Sequence, residues 1–325
     1  MGKGGTQRNI SQTVLKKVPI NLPPLPEQRK IVEIIEELFS ELDKGVESLK
    51  KAREQLKTYR QAVLKAAFEG KFTYDKDSKT SPDLANGIRK NNKENHIDPK
   101  FSLPQIPANW IWTRNETLLK YVTSGSRDWK KYYSDKGALF IRTQNINTNK
   151  LTKENVAFVE LPEKVEGKRS LIEKHDILIT ITGANVGKVA LIDFDIEEAY
   201  VSQSVALLKY LDSRITKFLY YYFQAPNFGK TFIDKMVYGM GRPVLSLPNM
   251  KNVPIALPPI AQQELIIQEI ESHFSICDHI EKTIDESLSQ AEALRQSILK
   301  QAFEGKLTVK WREENKELLK SEVNN

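Results

Sequence analysis

Two stretches of the chain carry apolar residues three or four positions apart on a background of Glu, Lys, Gln and Ser. In the first, Ile35, Leu38, Leu42, Val46, Leu49, Ala52, Leu56, Tyr59, Val63 and Ala66 form a narrow stripe. In the second, Ile270, Phe274, Cys277, Ile280, Ile284, Leu288, Ala291, Leu294, Ile298 and Ala302 do the same. Stripes this narrow, close to a heptad seam, predict two long helices zipped against each other. About forty residues at 1.5 Å each make a rod of roughly 60 Å. The competing arrangement packs each helix on a globular domain of its own; equal lengths and matched seams favour mutual packing.

The two stretches are copies of one element. A shift of 235 positions lays Val18 on Val253, Pro23 and Pro24 on Pro258 and Pro259, Gln28 on Gln263, and Phe39 on Phe274, without a gap. It also lays AFEGK at Ala67–Lys71 on the same five letters at Ala302–Lys306. A register kept over roughly seventy residues marks a structural repeat. In VPINLPPLPEQRKI and VPIALPPIAQQELI the prolines hold the chain extended and release it into a helix, at about Pro26 in the first copy. The glycine of EGK supplies the stop. If the segment between the copies is one compact domain, the helices must run antiparallel from it, with that domain at one end of the rod.

The remaining text divides readily. Residues 72–100 are polar and rich in turn formers, which predicts a solvated linker. From 101 to 250, short β-rich runs such as GALFIRTQNI, DILITITG, KVALIDF and YVSQSVALLKY alternate with turn residues. RITKFLYYYFQA and GKTFIDKMVY have helical spacing. The fold class is therefore α+β: a mixed domain with a twisted, mainly antiparallel sheet, plus the two long antiparallel helices of 18–71 and 251–308. The charged tail, 309–325, is expected to fray. Residues 1–17 align at the same offset with the end of the middle domain, so they read as the last stretch of a domain of the same kind.

Composition narrows the chemistry. Forty-nine basic against 42 acidic side chains give +7, which suits a polyanionic partner. One cysteine, Cys277, excludes an intrachain disulfide and a cysteine-rich zinc cluster, and fits a reducing cytoplasm. No run is long and apolar enough to span a bilayer, so no membrane partner is expected. Thr182–Ala190, TGANVGKVA, lacks the Walker spacing and lies between two strand-like runs, so it reads as a hairpin turn. His96, His175, His273 and His279 have no ligand spacing, and no nucleophile elbow, helicase, ATPase or amino-methyltransferase signature is present. Asp193–Glu198, DFDIEE, reads as a solvated loop. No cofactor, no metal and no catalysis are expected. What remains is a basic segment between Ile111 and Lys150, interleaved with Trp112, Tyr121, Trp129, Tyr132 and Tyr133 and with amides at Gln144, Asn145 and Asn147. Lysine and arginine neutralise phosphates, and Arg, Gln and Asn pair with base edges, so this mixture suits sequence-selective reading of DNA.

The paired lead-ins, each closing in AFEGK, resemble the conserved helical regions of specificity subunits of type I restriction-modification enzymes. The middle domain, from LPQIPANWIW through DILITITGANVGKVALI to GMGRPVLSLPNMKN, resembles a target recognition domain of that family. The resemblance implies a non-catalytic, cytoplasmic subunit that binds double-stranded DNA. It also implies methyltransferase (M) subunits held along the paired helices and restriction (R) subunits reached through them. Since the family alternates recognition domain and helix twice, residues 1–17 imply a remnant of a first recognition domain; the alternatives are a homodimer that restores two reading heads and a fragment with one head, and the homodimer is the expectation. The resemblance places DNA contacts on Ser126, Arg127, Lys130, Lys131 and Tyr132 of one loop, on Arg142, Gln144, Asn145 and Asn147 after the ALFIRT strand, on Asn185 and Lys188 of the hairpin, on Gln203 and Ser204, and on Arg242. The rival reading is a coiled-coil scaffold whose middle domain binds protein.

Overall fold

The computed structural model describes residues 11–73, 97–99, 101–164 and 167–323. Most of the expected linker, His96 and the first ten residues lie outside them. The chain forms two compact units, one from Met1–Leu56 with Asp278–Asn325, the other from Lys57–Cys277.

The repeat is reproduced in its helices. Helix α1 is Gln12–Leu15 and α2 is Leu25–Phe68; β1 is Ile111–Arg114 and α3 Asn115–Leu118. Further on come α4, Thr216–Tyr222, α5, Gly229–Met236, and α6, Leu247–Lys251. Helix α7 is Ile260–Phe303, so both of its ends stand 235 positions from those of α2 and each helix has 44 residues. Ser11 caps α1 by accepting from the Val14 amide, and Ser246 caps α6 by accepting from Asn249, at the same offset. Past the prolines, Gln28 Nε2 donates to the Pro23 carbonyl at 2.7 Å and Gln263 Nε2 to that of Pro258 at 2.9 Å. A side chain that folds back onto the extended lead-in sets the angle at which each helix starts.

Within the first unit α2 and α7 pair antiparallel: Arg53 meets Asp285 and Asp43 meets Arg295, so ten steps down one helix match ten steps up the other. Arg295 lies over the Phe39 ring at 4.4 Å, and in the second unit Arg60 lies over Phe274 at 5.1 Å. Those two contacts exchange under the repeat offset, so each copy supplies the ring to one and the arginine to the other. The seam differs from the apolar stripe in detail. Leu38, Tyr59, Ile280 and Leu294 are exposed. The Phe39 and Arg60 contacts take up part of the interface, because an arginine stem covers apolar surface while its head stacks on a ring.

The middle domain holds strands β2 Leu119–Ser124, β3 Tyr133–Ser134, β4 Ala138–Ile141, β5 Ile146–Asn147, β6 Lys150–Leu151, β7 Ala157–Val159, β8 Ile177–Thr180, β9 Val189–Leu191, β10 Ala199–Val201, β11 Val205–Tyr210 and β12 Pro254–Leu257. The expected single sheet is instead two four-stranded sheets, β10-β4-β7-β3 and β2-β11-β8-β9, with the pairs β1-β12 and β5-β6. All pairings are antiparallel except β4 with β10. The division has a local cause. YVSQSVALLKY is cut by a turn in which the Val205 amide donates to the Ser202 carbonyl, leaving β10 in one sheet and β11 in the other. TGANVGKVA is the expected hairpin turn between β8 and β9.

The largest core of this unit gathers Phe68 at the end of α2 with Phe218, Tyr222 and Phe228, whose rings lie 5.2, 5.3 and 6.1 Å from it. The tail departs from expectation. It forms α8, Val309–Glu314, and α9, Lys316–Val323, rather than fraying. Buried Glu27 explains the order near α8, because it accepts from Thr308 Oγ1 and Arg312 Nη1, both at 2.6 Å, and an uncompensated carboxylate there would be costly. Among the described residues no helix is long and apolar enough to cross a membrane, and no group of His, Cys, Asp and Glu is arranged to hold a metal.

Candidate nucleic-acid interface

The segment from Ser126 to Tyr132 is shaped by its ends and its middle. Gly125 sits so close to the neighbouring strand that a Cβ on it would lie 1.8 Å from the Val201 carbonyl oxygen, and its amide donates to Ser202. No other residue permits that approach. Asp128 turns the chain in the left-handed region at φ 68°, and Trp129–Tyr132 close into a short 3-10 turn rather than an open loop. Trp129 is the anchor: buried, it packs edge-on against Tyr200 at 5.2 Å and against Phe140 at 5.8 Å. Burial, with the Glu198 carboxylate beside it, pushes the Tyr200 hydroxyl up to about 12, so it stays a neutral donor to Glu198.

This anchoring brings two adjoining clefts together. The first, of about 320 Å³, has Ser126, Lys130, Arg142, Gln144, Gln203 and Ser204 on its walls. The second, of about 530 Å³, adds Arg127 and Arg242 and shares Gln203, Ser204 and Asp128 with the first. Eight predicted residues from four separate stretches of chain therefore converge. Arg142 is the most constrained of them. Its Nη2 donates to the Asn155 carbonyl at 2.9 Å, its guanidinium stands 5.9 Å from the Tyr133 ring, and its buried Nε has no protein partner. A fork held on one side enters the cleft in a fixed orientation.

Other predicted positions stand apart from the clefts. Asn145 is fully buried; its Oδ1 accepts from the Arg142 amide and its Nδ2 donates to the Thr152 and Glu154 carbonyls. It builds the loop that carries Arg142, both of its amide donors are used, and its burial removes it from the surface. Asn147 accepts from the Thr148 amide in a β5-β6 turn whose central residues, Thr148 and Asn149, both have positive φ. That is turn chemistry, and the two-residue turn requires it. Asn185 donates to the Thr143 carbonyl at 3.3 Å, tying the β8-β9 turn to the Gln144 loop. Lys188 is half-buried at the foot of that turn. Lys131 lies 5.0 Å over the ring of Tyr132 and does not line either cleft.

Sequence reasoning passed over Asp128, Tyr133, Thr143, Thr182 and Ser202, which also line the clefts. Tyr133 stood in the aromatic and basic run. Ser202 carried no signal, yet its hydroxyl is buried without a partner on the first cleft wall. The arrangement offers arginine forks, two glutamine amides and one carboxylate at different depths, which is the donor and acceptor variety that base edges present in the major groove.

Residues 2–52 and 112–290 match the model of the type I restriction modification DNA specificity domain. The chain belongs to that family. The resemblance read from the two lead-ins agrees with this match. Among curated relatives of this specificity-domain chain is the EcoBI specificity subunit of Escherichia coli, 30% identical over 329 residues, covering 98% of the chain and 64% of the relative. The EcoKI specificity subunit of Escherichia coli strain K12 is 25% identical over 327 residues, covering 99% and 65%. The chain thus spans less than two thirds of the length of these two relatives. Its fold is similar to a chain from a structure of the assembly and conformational transition of the type I R-M system, with TM-score 0.67, 19% identity, and coverage of 93% of this chain and 65% of that one. The HsdS subunit from Thermoanaerobacter tengcongensis gives TM-score 0.50 at 19% identity, covering 94% and 65%.

Proposed function

We propose that this chain reads duplex DNA for a type I restriction-modification complex and performs no chemistry itself. The observation that carries the reading is the convergence of Arg127, Arg142, Gln144, Gln203 and Arg242 on two adjoining clefts of one anchored surface. Lys130, Arg127 and Arg242 neutralise phosphates, while the glutamines and the fixed fork of Arg142 select bases. The paired helices serve as the mount for methyltransferase subunits, and restriction subunits join through those. A homodimer would set two recognition domains on one assembly. The chain needs no cofactor in this role and works in the cytoplasm.

The test is binding to a pool of random-sequence duplexes at increasing salt. Three cations on phosphates predict a slope of about −2.7 in log K against log salt, or about a fortyfold loss between 50 and 200 mM. Enrichment of a consensus is expected; a flat salt profile with no enrichment would favour a protein-binding scaffold instead. Incubated alone with duplex and S-adenosylmethionine, the chain should transfer no methyl group, and transfer would overturn the non-catalytic role.

A further inference from the structure

Cations and amides line the two clefts, and one carboxylate stands among them. Asp128 lies on the walls of both, with Lys130 and Arg142 in the first and Arg127 and Arg242 in the second. A surface that only held phosphates would gain from losing this carboxylate, because like charges brought together cost affinity. Nor does the local backbone call for it. The side chain caps no amide of the 3-10 turn that follows, and among the described residues no hydrogen bond or ion pair engages it. At φ 68° the left-handed turn is one that glycine makes with less strain.

The carboxylate is nevertheless held in place. Trp129, the next residue, is buried against Tyr200 and Phe140, and Gly125, three positions back, lies against the Val201 backbone. Exposed and common to both clefts, Asp128 is available to a ligand that brings a hydrogen-bond donor. An ionised carboxylate only accepts. In the major groove guanine shows two acceptors, thymine an acceptor and a methyl, adenine a donor beside an acceptor, and cytosine a donor alone. Adenine N7 would repel the carboxylate, whereas the guanine opposite a cytosine offers its two acceptors to the Arg142 fork on the first cleft wall.

We propose that Asp128 is a specificity-determining residue that accepts a hydrogen bond from the N4 amine of a cytosine, so that the sequence read by this chain contains a C·G pair fixed by a carboxylate. The inference rests on the DNA-reading role and deepens it. It explains why a negative charge persists where phosphates are bound: the charge that weakens binding to any duplex strengthens the bond to one base.

The full chain and its Asp128→Gly variant are each selected against random-sequence duplexes at one fixed salt concentration. Glycine suits the left-handed backbone, so the turn is kept; should the variant fail to fold by circular dichroism, Asp128→Asn takes its place with the same readout. The wild-type consensus is expected to hold a cytosine whose preference falls by about tenfold in the variant, at that pair alone. A consensus that survives unchanged, or relaxes at an A·T pair instead, overturns the proposal. So does tighter binding of every duplex by the variant with selectivity intact, which would make the carboxylate a repeller of phosphate and nothing more. A second arm replaces that cytosine by pyrimidin-2-one, which lacks the amine. The wild type should then lose about tenfold more affinity than the variant, and equal losses overturn the proposal. If the wild type enriches no sequence, the DNA-reading role fails and this inference falls with it; a wild-type consensus that the variant retains sinks the inference alone.

Discussion

Phe68 and Phe303 are the same residue of the repeat in opposite environments, and truncating each to alanine isolates what burial contributes. Phe68 is fully buried among three aromatic rings, whereas Phe303 is mostly exposed. A buried Phe→Ala change costs about 3–5 kcal/mol through lost transfer energy and a residual cavity, and a surface change stays within about 0.5 kcal/mol. Urea unfolding of the full chain, followed by tryptophan fluorescence, suits the comparison because Trp110, Trp112 and Trp129 report on the unit containing Phe68 and Trp311 on the other. With about 2 kcal/mol per molar for urea, F68A should lower the midpoint of the first transition by about 2 M and F303A should leave both within about 0.3 M. Should F68A fail to fold, F68L serves, with an expected cost of about 1 kcal/mol. A loss for F303A as large as that for F68A would refute the view that one of these phenylalanines is packed and the other bare.

Four further outcomes follow from particular contacts. R142A should weaken duplex binding by about 1–3 kcal/mol and relax selectivity at the base pair it reads, whereas N145A should act through loss of folded protein, seen as a lowered melting temperature. G125A forces a Cβ onto the Val201 carbonyl, so about 1–3 kcal/mol of stability should be lost along with duplex affinity, read by thermal unfolding and by titration. K209M leaves buried Asp176 without the ammonium that sits 2.7 Å away, a loss of about 3 kcal/mol at neutral pH. Burial already raises the Asp176 carboxyl above its ordinary value, so that loss should shrink as pH falls and the carboxyl becomes neutral in both proteins, as a pH series of melts would reveal. Tyr200 has its folded pKa raised from 10.0 to about 12, so the stability it contributes is complete below 10 and declines as pH rises through about 12. Y200F should lessen that alkaline decline in a circular-dichroism titration.

The local text of the chain determined what depends on local rules. Proline pairs, a glycine stop and a periodic stripe were enough to delimit both long helices, because helix initiation and termination are set within a few residues of sequence. The exact offset identified the copies before any contact was known, and the family resemblance rested on the same letters. The tertiary structure decided which equal parts are treated unequally. Phe68 and Phe303 share their neighbours in sequence, and only long-range packing buries one and leaves the other bare. The same holds for the reading surface. Arg142 and Asn145 look alike as candidates in a polar run, but the backbone groups of residues 152–155 consume the asparagine and orient the arginine. Arg242 joins Arg127 on the second cleft because Val244, two residues on, is bridged to Thr182, sixty positions back along the chain. Burial and hydrogen-bond satisfaction are properties of what surrounds a residue in space, and non-local pairing sets them.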